Sequence, residues 1–173
     1  MDTASIHAEL DSVRQDFRVL VTPADRAALS RGTNGTKWTN EQLLFHMLFG
    51  YLLVWNLLWL VHGMSRLPRG VSRSFAAALN AGTRPFHVVN YVGSLGGGRV
   101  LGQTRLCGLL DGVTRSLERR LDRESATGLQ RGMHFPTGWD PYFKDVMTVL
   151  EVYHYPTQHY DHHRRQLTLA NLN

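Results

Sequence analysis

Nineteen residues from Leu43 to Val61 form an apolar run broken only by His46, Gly50 and Asn56. Such a run is long enough to cross a bilayer. It also suits a helix buried on every side, at the centre of a bundle or in an interface. A histidine in lipid is costly without a partner, and no other segment of the chain is comparably apolar. The buried helix is the reading adopted, with no membrane partner. The first residues, MDTASIHAELDSV, carry acids and no apolar core, unlike a secretory signal. A cytoplasmic protein is expected.

Helical periodicity dominates the rest. Ile6, Leu10, Val13, Phe17 and Leu20 step by four and three, which predicts an amphipathic helix over 4–30, interrupted near Thr22-Pro23. RGTNGTK (31–37) reads as a loop. Thr39 and Gln42 have capping-box spacing, so the apolar helix should start near Asn40 and reach about His62, ended by Gly63, Pro68 and Gly70. Residues 72–79 suit a short helix. Pro85 to Leu95, between the breakers 80–85 and 96–98, read as irregular or partly helical. Arg99 to Ser125 predict a third long helix, with Val100, Leu106, Leu109, Leu110, Val113, Leu117 and Leu121 on its apolar face. MHFPTGW (133–139) reads as a loop, and Asp140-Pro141 as a helix start. Thr148 and Glu151 repeat the capping-box spacing, opening a last helix to about Ala170 that Pro156 should kink.

Four long helices without convincing strands predict an all-α fold, a four-helix bundle with a long irregular connection between its second and third helices. A chain of 173 residues suits one domain, 1–173. Cys107, the single cysteine, cannot pair internally and reads as a core thiol. The net charge of +5 comes from 17 arginines, Lys37 and Lys144 against 14 acids. The doublet Arg119-Arg120 lies among Glu118, Asp122 and Glu124, whereas a phosphate-tracking stripe would be nearly all basic. Nucleic acid is therefore not expected as a partner.

Nine histidines are the compositional oddity, because imidazole is a common metal ligand and proton carrier. His159 and His163 stand four apart on the last helix, about 6 Å along its axis, so both rings can face one ion. His162 is rotated about 100° from His163 and cannot join them. His46, inside the apolar helix, is the candidate third ligand. Three imidazoles leave coordination positions open, as catalytic rather than closed structural sites do. Gly50, one turn after His46, would leave space beside the metal or allow close helix packing.

Around the cluster, Tyr155 and Glu151 lie one and two turns before His159 and are candidates to reach an imidazole or a water at the metal. Core packing and the capping box, respectively, are their simpler uses. Arg164 could bind an anionic substrate or form an ion pair. Asn56 is expected to bond across a helix pair, and His134, Trp139 and Tyr142 to line a pocket mouth or pack within their loop.

Trp38, then TNEQLLFH (39–46), resembles the start of the second helix in the DinB/YfiT-like superfamily. HYDHHRRQL (159–167) is similar to that superfamily's terminal H-x-x-x-H-R-x-Q-L signature, with Arg165 where glycine is frequent. The resemblance implies a bundle of unusual connectivity, commonly a homodimer, with a divalent metal on His46, His159 and His163. Zinc is the first expectation, and nickel, iron or manganese would accept the same ligands. It further implies a thiol S-transferase or related isomerase using a low-molecular-weight thiol such as bacillithiol, mycothiol or glutathione, with a small-molecule electrophile as substrate. A natural-product cyclase or hydrolase on the same metal, and a non-catalytic metal-binding stress-response bundle, are the alternatives.

Overall fold

The computed structural model describes residues 1–169, and the side chains of all of these except 98–100. Among the described residues are eight helices and one two-stranded sheet. The first helix, α1 (Thr3–Val21), is capped by Asp2, whose carboxylate accepts the Ser5 N–H at 2.8 Å. Its buried side chains include every position of the predicted stripe. It stops before Pro23, and the short α2 (Arg26–Ser30) restarts the chain under an Asp25 cap.

Thr39 and Gln42 form both halves of the capping box that opens α3 (Asn40–Met64). Its most apolar 18-residue window has mean hydropathy 1.8, and half of that window is buried inside the fold. Length and composition alone would let α3 cross a membrane. It is not buried on every side, because Trp59 is 71% exposed. Asn56 is also exposed, and its amide donates to Leu52 O of its own helix at 2.7 Å, not across a helix pair as expected.

The short helix expected over 72–79 is present and longer, as α4 (Arg69–Ala81), and the stretch read as breakers around an irregular or partly helical segment is a continuous helix, α5 (Thr83–Val100). Pro85 falls in the first turn of α5, where no helical hydrogen bond needs its missing N–H. The glycines read as a breaker lie within α5, and one has a packing reason. A Cβ on Gly97 would stand 2.3 Å from the Phe45 ring of α3. The gap at Leu101-Gly102 separates α5 from α6 (Gln103–Leu121), so Arg99 and Val100 belong to the earlier helix. On α6 the predicted face is buried except at Leu109, which is 40% exposed, while the side chain of Val100 lies outside the described set. Cys107 is half-buried against the core rather than inside it.

After the single turn α7 (Ala126–Leu129), the chain forms a small antiparallel sheet of β1 (Gly132–His134) and β2 (Val146–Thr148), with Met133 opposite Met147. Three residues per strand are too few for alternation to show. The intervening 135–145 segment is a loop. Asp140-Pro141 starts no helix; Asp140 Oδ1 accepts the Tyr142 N–H at 2.9 Å in a turn. The last helix, α8 (Val149–Arg164), opens on the Thr148–Glu151 capping box and continues through Pro156. It stops at Arg164, short of the expected end; Ala170 lies outside the described residues.

The core is made by the buried faces of α1, α3, α6 and α8. Helix α3 packs on α5, α6 and α8, while α1 packs on α6 and α8. Arg164 ties α8 to α1 through two hydrogen bonds to Asp16, at 2.7 and 2.8 Å, and the Tyr160 hydroxyl donates to the same carboxylate. Arg164 thus forms an ion pair away from the histidines. Arg164→Ala should cost about 1 kcal/mol in urea denaturation and leave metal content unchanged. Altered metal content would place this arginine nearer the site than its contacts do.

Candidate metal centre

Helix α3 delivers His46, and α8 delivers His159 and His163 one turn apart. One nitrogen from each lies within 4.8 Å of the others, and the three ring centroids are 4.5–4.8 Å apart. His46 and His159 are buried and His163 is half-buried. His162 points elsewhere, with its Nδ1 3.3 Å from the Tyr142 hydroxyl.

Hydrogen bonds fix which nitrogens face inward. Ser94 on α5 donates its hydroxyl proton to Asn90 O at 2.9 Å, so its oxygen accepts from His46 Nδ1 at 3.2 Å. Gln166 Oε1 accepts from His163 Nδ1 at 2.7 Å. Both imidazoles therefore carry their proton on Nδ1 and present an Nε2 lone pair, as a metal ligand must. His159 Nε2 is 3.1 Å from His46 Nε2, while its buried Nδ1 has no partner. Bonds of about 2.0–2.1 Å to one tetrahedral ion would set such nitrogens about 3.3 Å apart. The His46–His159 pair stands near that separation already. The residues fit a divalent cation.

Gly50 lines the cavity over the histidines and also lets a ring pack closely. A Cβ there would lie 2.9 Å from His159 Nδ1, so only glycine lets the imidazole settle against α3. Trp38 covers the other side, with its ring centroid 4.4 Å from that of His46.

Burial also holds these imidazoles neutral. Desolvation, reinforced by neighbouring His163, pulls His46 down to about 3, although the nearby Asn90 amide acts in the opposite sense. Desolvation lowers His163 to about 4 despite its bond to Gln166, and lowers His159 well below the ordinary range. Below pH 6.5 the unfolded chain binds protons at these rings that the folded chain refuses until about pH 4 at His163 and about 3 at His46. Stability of the cation-free protein is therefore fully present above pH 6.5 and falls with acidification, by about 1.4 kcal/mol per pH unit for each ring that stays neutral. Denaturant midpoints at pH 7 and pH 5 read this directly. Equal stability at both values would contradict it.

The predicted neighbours divide clearly. Tyr155 lines the cavity over the histidines, but its hydroxyl donates to Asp140 Oδ2 at 2.9 Å, not to an imidazole. Glu151 is held by the Thr148 cap and by Lys144 at 2.7 Å, so it does not serve the site. Trp139 lines the cavity, whereas His134 and Tyr142 do not. His134 is buried beside Asp145 at 2.9 Å, and Tyr142 turns to His162.

Sequence reasoning missed Asp140, read only as a cap. Its Oδ2 stands 3.8 Å from His159 Nε2, and burial raises its pKa against the pull of the Tyr142 N–H and the Tyr155 hydroxyl. It also missed Ser94 and Asn90 on α5, a stretch read as irregular or partly helical. Gln166 was visible in the terminal motif, three residues after His163, the reach it uses. Tyr155→Phe should destabilise the protein by about 1.5–3 kcal/mol, because a buried carboxylate loses a donor. A chemical-denaturation difference below 0.5 kcal/mol, roughly the scale of neutral surface changes, would show that the contact carries no load.

These histidines floor a cavity of about 190 Å³ walled by α3, α5, α8 and the 139–143 loop. No curated protein and no solved structure matches the chain. The family model described as the DinB superfamily does, over residues 9–167. The chain belongs to the DinB superfamily.

Proposed function

We propose that this protein is a metal-dependent enzyme that activates a small thiol for transfer to an electrophilic substrate, with His46, His159 and His163 holding the cation. One observation carries the reading: inward Nε2 atoms of a buried triad sit on the floor of a cavity, with their outer nitrogens at His46 and His163 fixed by Ser94 and Gln166. A purely structural site has no need of a cavity above it. Zinc suits three nitrogen donors, and nickel, iron or manganese would also accept them. Such a cation supplies Lewis acidity, lowering the pKa of a thiol or water brought to it.

The chain's own residues supply the rest. Asp140 Oδ2 faces the triad and is the acceptor for the proton a nucleophile gives up, held in place by the Tyr155 hydroxyl. Phe49, Leu53 and Phe143 wall the cavity and limit water around the reacting groups. The same reading makes α1, α3, α6 and α8 the superfamily's bundle in one domain, paired as a homodimer in the cytoplasm.

The test is thiol consumption in the presence of a generic electrophile, with zinc-loaded protein and glutathione or cysteine as thiol. Metal-dependent loss of thiol that disappears in His46→Ala is expected. A loaded protein that consumes no thiol but melts far lower with chelator would instead favour a structural ion.

A further inference from the structure

Between Glu41 and Asp111 the chain has no acidic residue and six arginines, Arg66, Arg69, Arg73, Arg84, Arg99 and Arg105. Outside this stretch 13 basic residues stand against 14 acidic ones, so the net charge of +5 comes entirely from it. Arg66, Arg69, Arg73 and Arg84 are exposed, and among the described residues none of them forms an ion pair. Elsewhere Arg14, Arg18 and Arg164 each hold a carboxylate.

The same stretch carries most of the exposed large apolar side chains, eight of eleven among the described residues. Val88, Val89 and Val92 of α5 are 62, 69 and 56% exposed. Val92 lies one turn after Val88 with Val89 beside them, and Arg84 lies one turn before, so the four share one outward stripe. On the inner side of the same helix Ser94 and Asn90 reach His46, and Gly97 meets Phe45. Helix α5 is therefore turned inside out, with polar side chains toward the fold and valines toward solvent. Apolar residues scattered singly over a surface need no explanation, but a contiguous stripe does. Helix α4, separated from α5 by Gly82 alone, adds exposed Arg69 and Arg73 to the same stretch.

The charge decides among the partners that could cover this stripe. A second copy related by a twofold axis would bring two sets of arginines, with no acid among them, into one interface. Nucleic acid would answer the arginines and leave the valines without apolar contact. An anionic bilayer answers both, because apolar side chains settle at the boundary of headgroups and acyl chains while arginines meet the negative headgroups.

We infer that the outward stripe of α5, with Arg84 and the arginines of α4, docks on the surface of an anionic lipid bilayer, the valines entering the headgroup region and no helix spanning it. The case against a membrane partner concerned a spanning helix; contact through one face is a different relation and leaves α3 within the fold. The inference does not depend on the histidines holding a cation.

Cosedimentation of the intact protein with vesicles tests it, using phosphatidylcholine alone or mixed with phosphatidylserine. The protein should pellet with the mixed vesicles, and added salt should weaken the binding. An arginine near an anionic surface contributes about fivefold in affinity, so Arg73→Ala with Arg84→Ala should weaken binding by about 25-fold. Arg115→Ala with Arg119→Ala, which removes the same charge from α6, should barely change it. Val88→Ser with Val92→Ser should weaken binding by about tenfold, at little cost in stability because both side chains are already exposed. No sedimentation with mixed vesicles at low salt overturns the inference, as does equal binding to neutral vesicles or binding that survives the valine pair. A solution dimer that the valine pair splits into monomers, by light scattering, also overturns it and gives the face to a second copy.

Discussion

His46→Ala reduces divalent-cation affinity by at least roughly 100-fold. Loss of a hydrogen bond behind a ligand costs 10–100-fold, and loss of the ligand itself belongs at or beyond the top of that range. His46 is also the sole contribution of α3 to the cluster, so its removal leaves two neighbouring imidazoles of α8. Stability separates this effect from misfolding. Wild-type protein in zinc at about a thousand times its Kd gains about 4 kcal/mol through mass action, whereas a variant weakened 100-fold or more gains at most about 1.4 kcal/mol at the same zinc concentration. Each protein's gain is measured against its own stability in chelator, because removing a buried imidazole leaves a cavity that lowers the variant's stability by itself. Ser94→Ala and Gln166→Ala, which free an Nδ1 without removing a ligand, should each fall in the 10–100-fold range. Equal metal loading of wild type and His46→Ala, by elemental analysis after dialysis, would remove His46 from the site.

Gly50→Ala gives the second large effect, from a single methyl group. In an exposed helix interior, glycine to alanine stabilises by roughly 0.5–1 kcal/mol. Here the new Cβ would sit 2.9 Å from His159 Nδ1. The imidazole cannot step aside freely, because it is buried between His46, His163 and Tyr155. Overpacking of about 1–3 kcal/mol should therefore exceed the helical gain. The displaced ring moves Nε2 away from the other two nitrogens, so metal affinity should fall by roughly 10–100-fold, on the scale of a lost positioning contact. Unchanged zinc affinity in Gly50→Ala, read by competition with a chromophoric chelator, would mean that the ring has slack its packing does not suggest.

The cluster was legible because its ligands lie on long helices with strong local signals. Capping boxes at Thr39 and Thr148 set where α3 and α8 begin, and an i, i+4 pair of histidines on one helix needs no tertiary knowledge to be placed on one face. Joining His46 to that pair required a guess about packing, which the terminal motif supported. What supports the ligands was harder to see. Ser94 and Asn90 lie on α5, whose proline and glycines read as breakers. Pro85 in fact occupies a first turn, and Gly97 is demanded by Phe45 of a neighbouring helix. Asp140 looked like a helix cap because Asp-Pro often is one; its partner Tyr155 lies in a separate element, so no local pattern reveals their bond. Leu109 and Trp59 were expected to be buried by periodicity or apolarity alone, but neither residue faces another element closely enough to be covered.

X-ray absorption at the zinc edge of the loaded protein is the most direct measurement. Three imidazole nitrogens at about 2.0–2.1 Å are predicted for wild type, and two in His163→Ala. A first shell with no imidazole scattering, or one containing the Cys107 sulfur, would contradict the assignment of His46, His159 and His163 as the ligands.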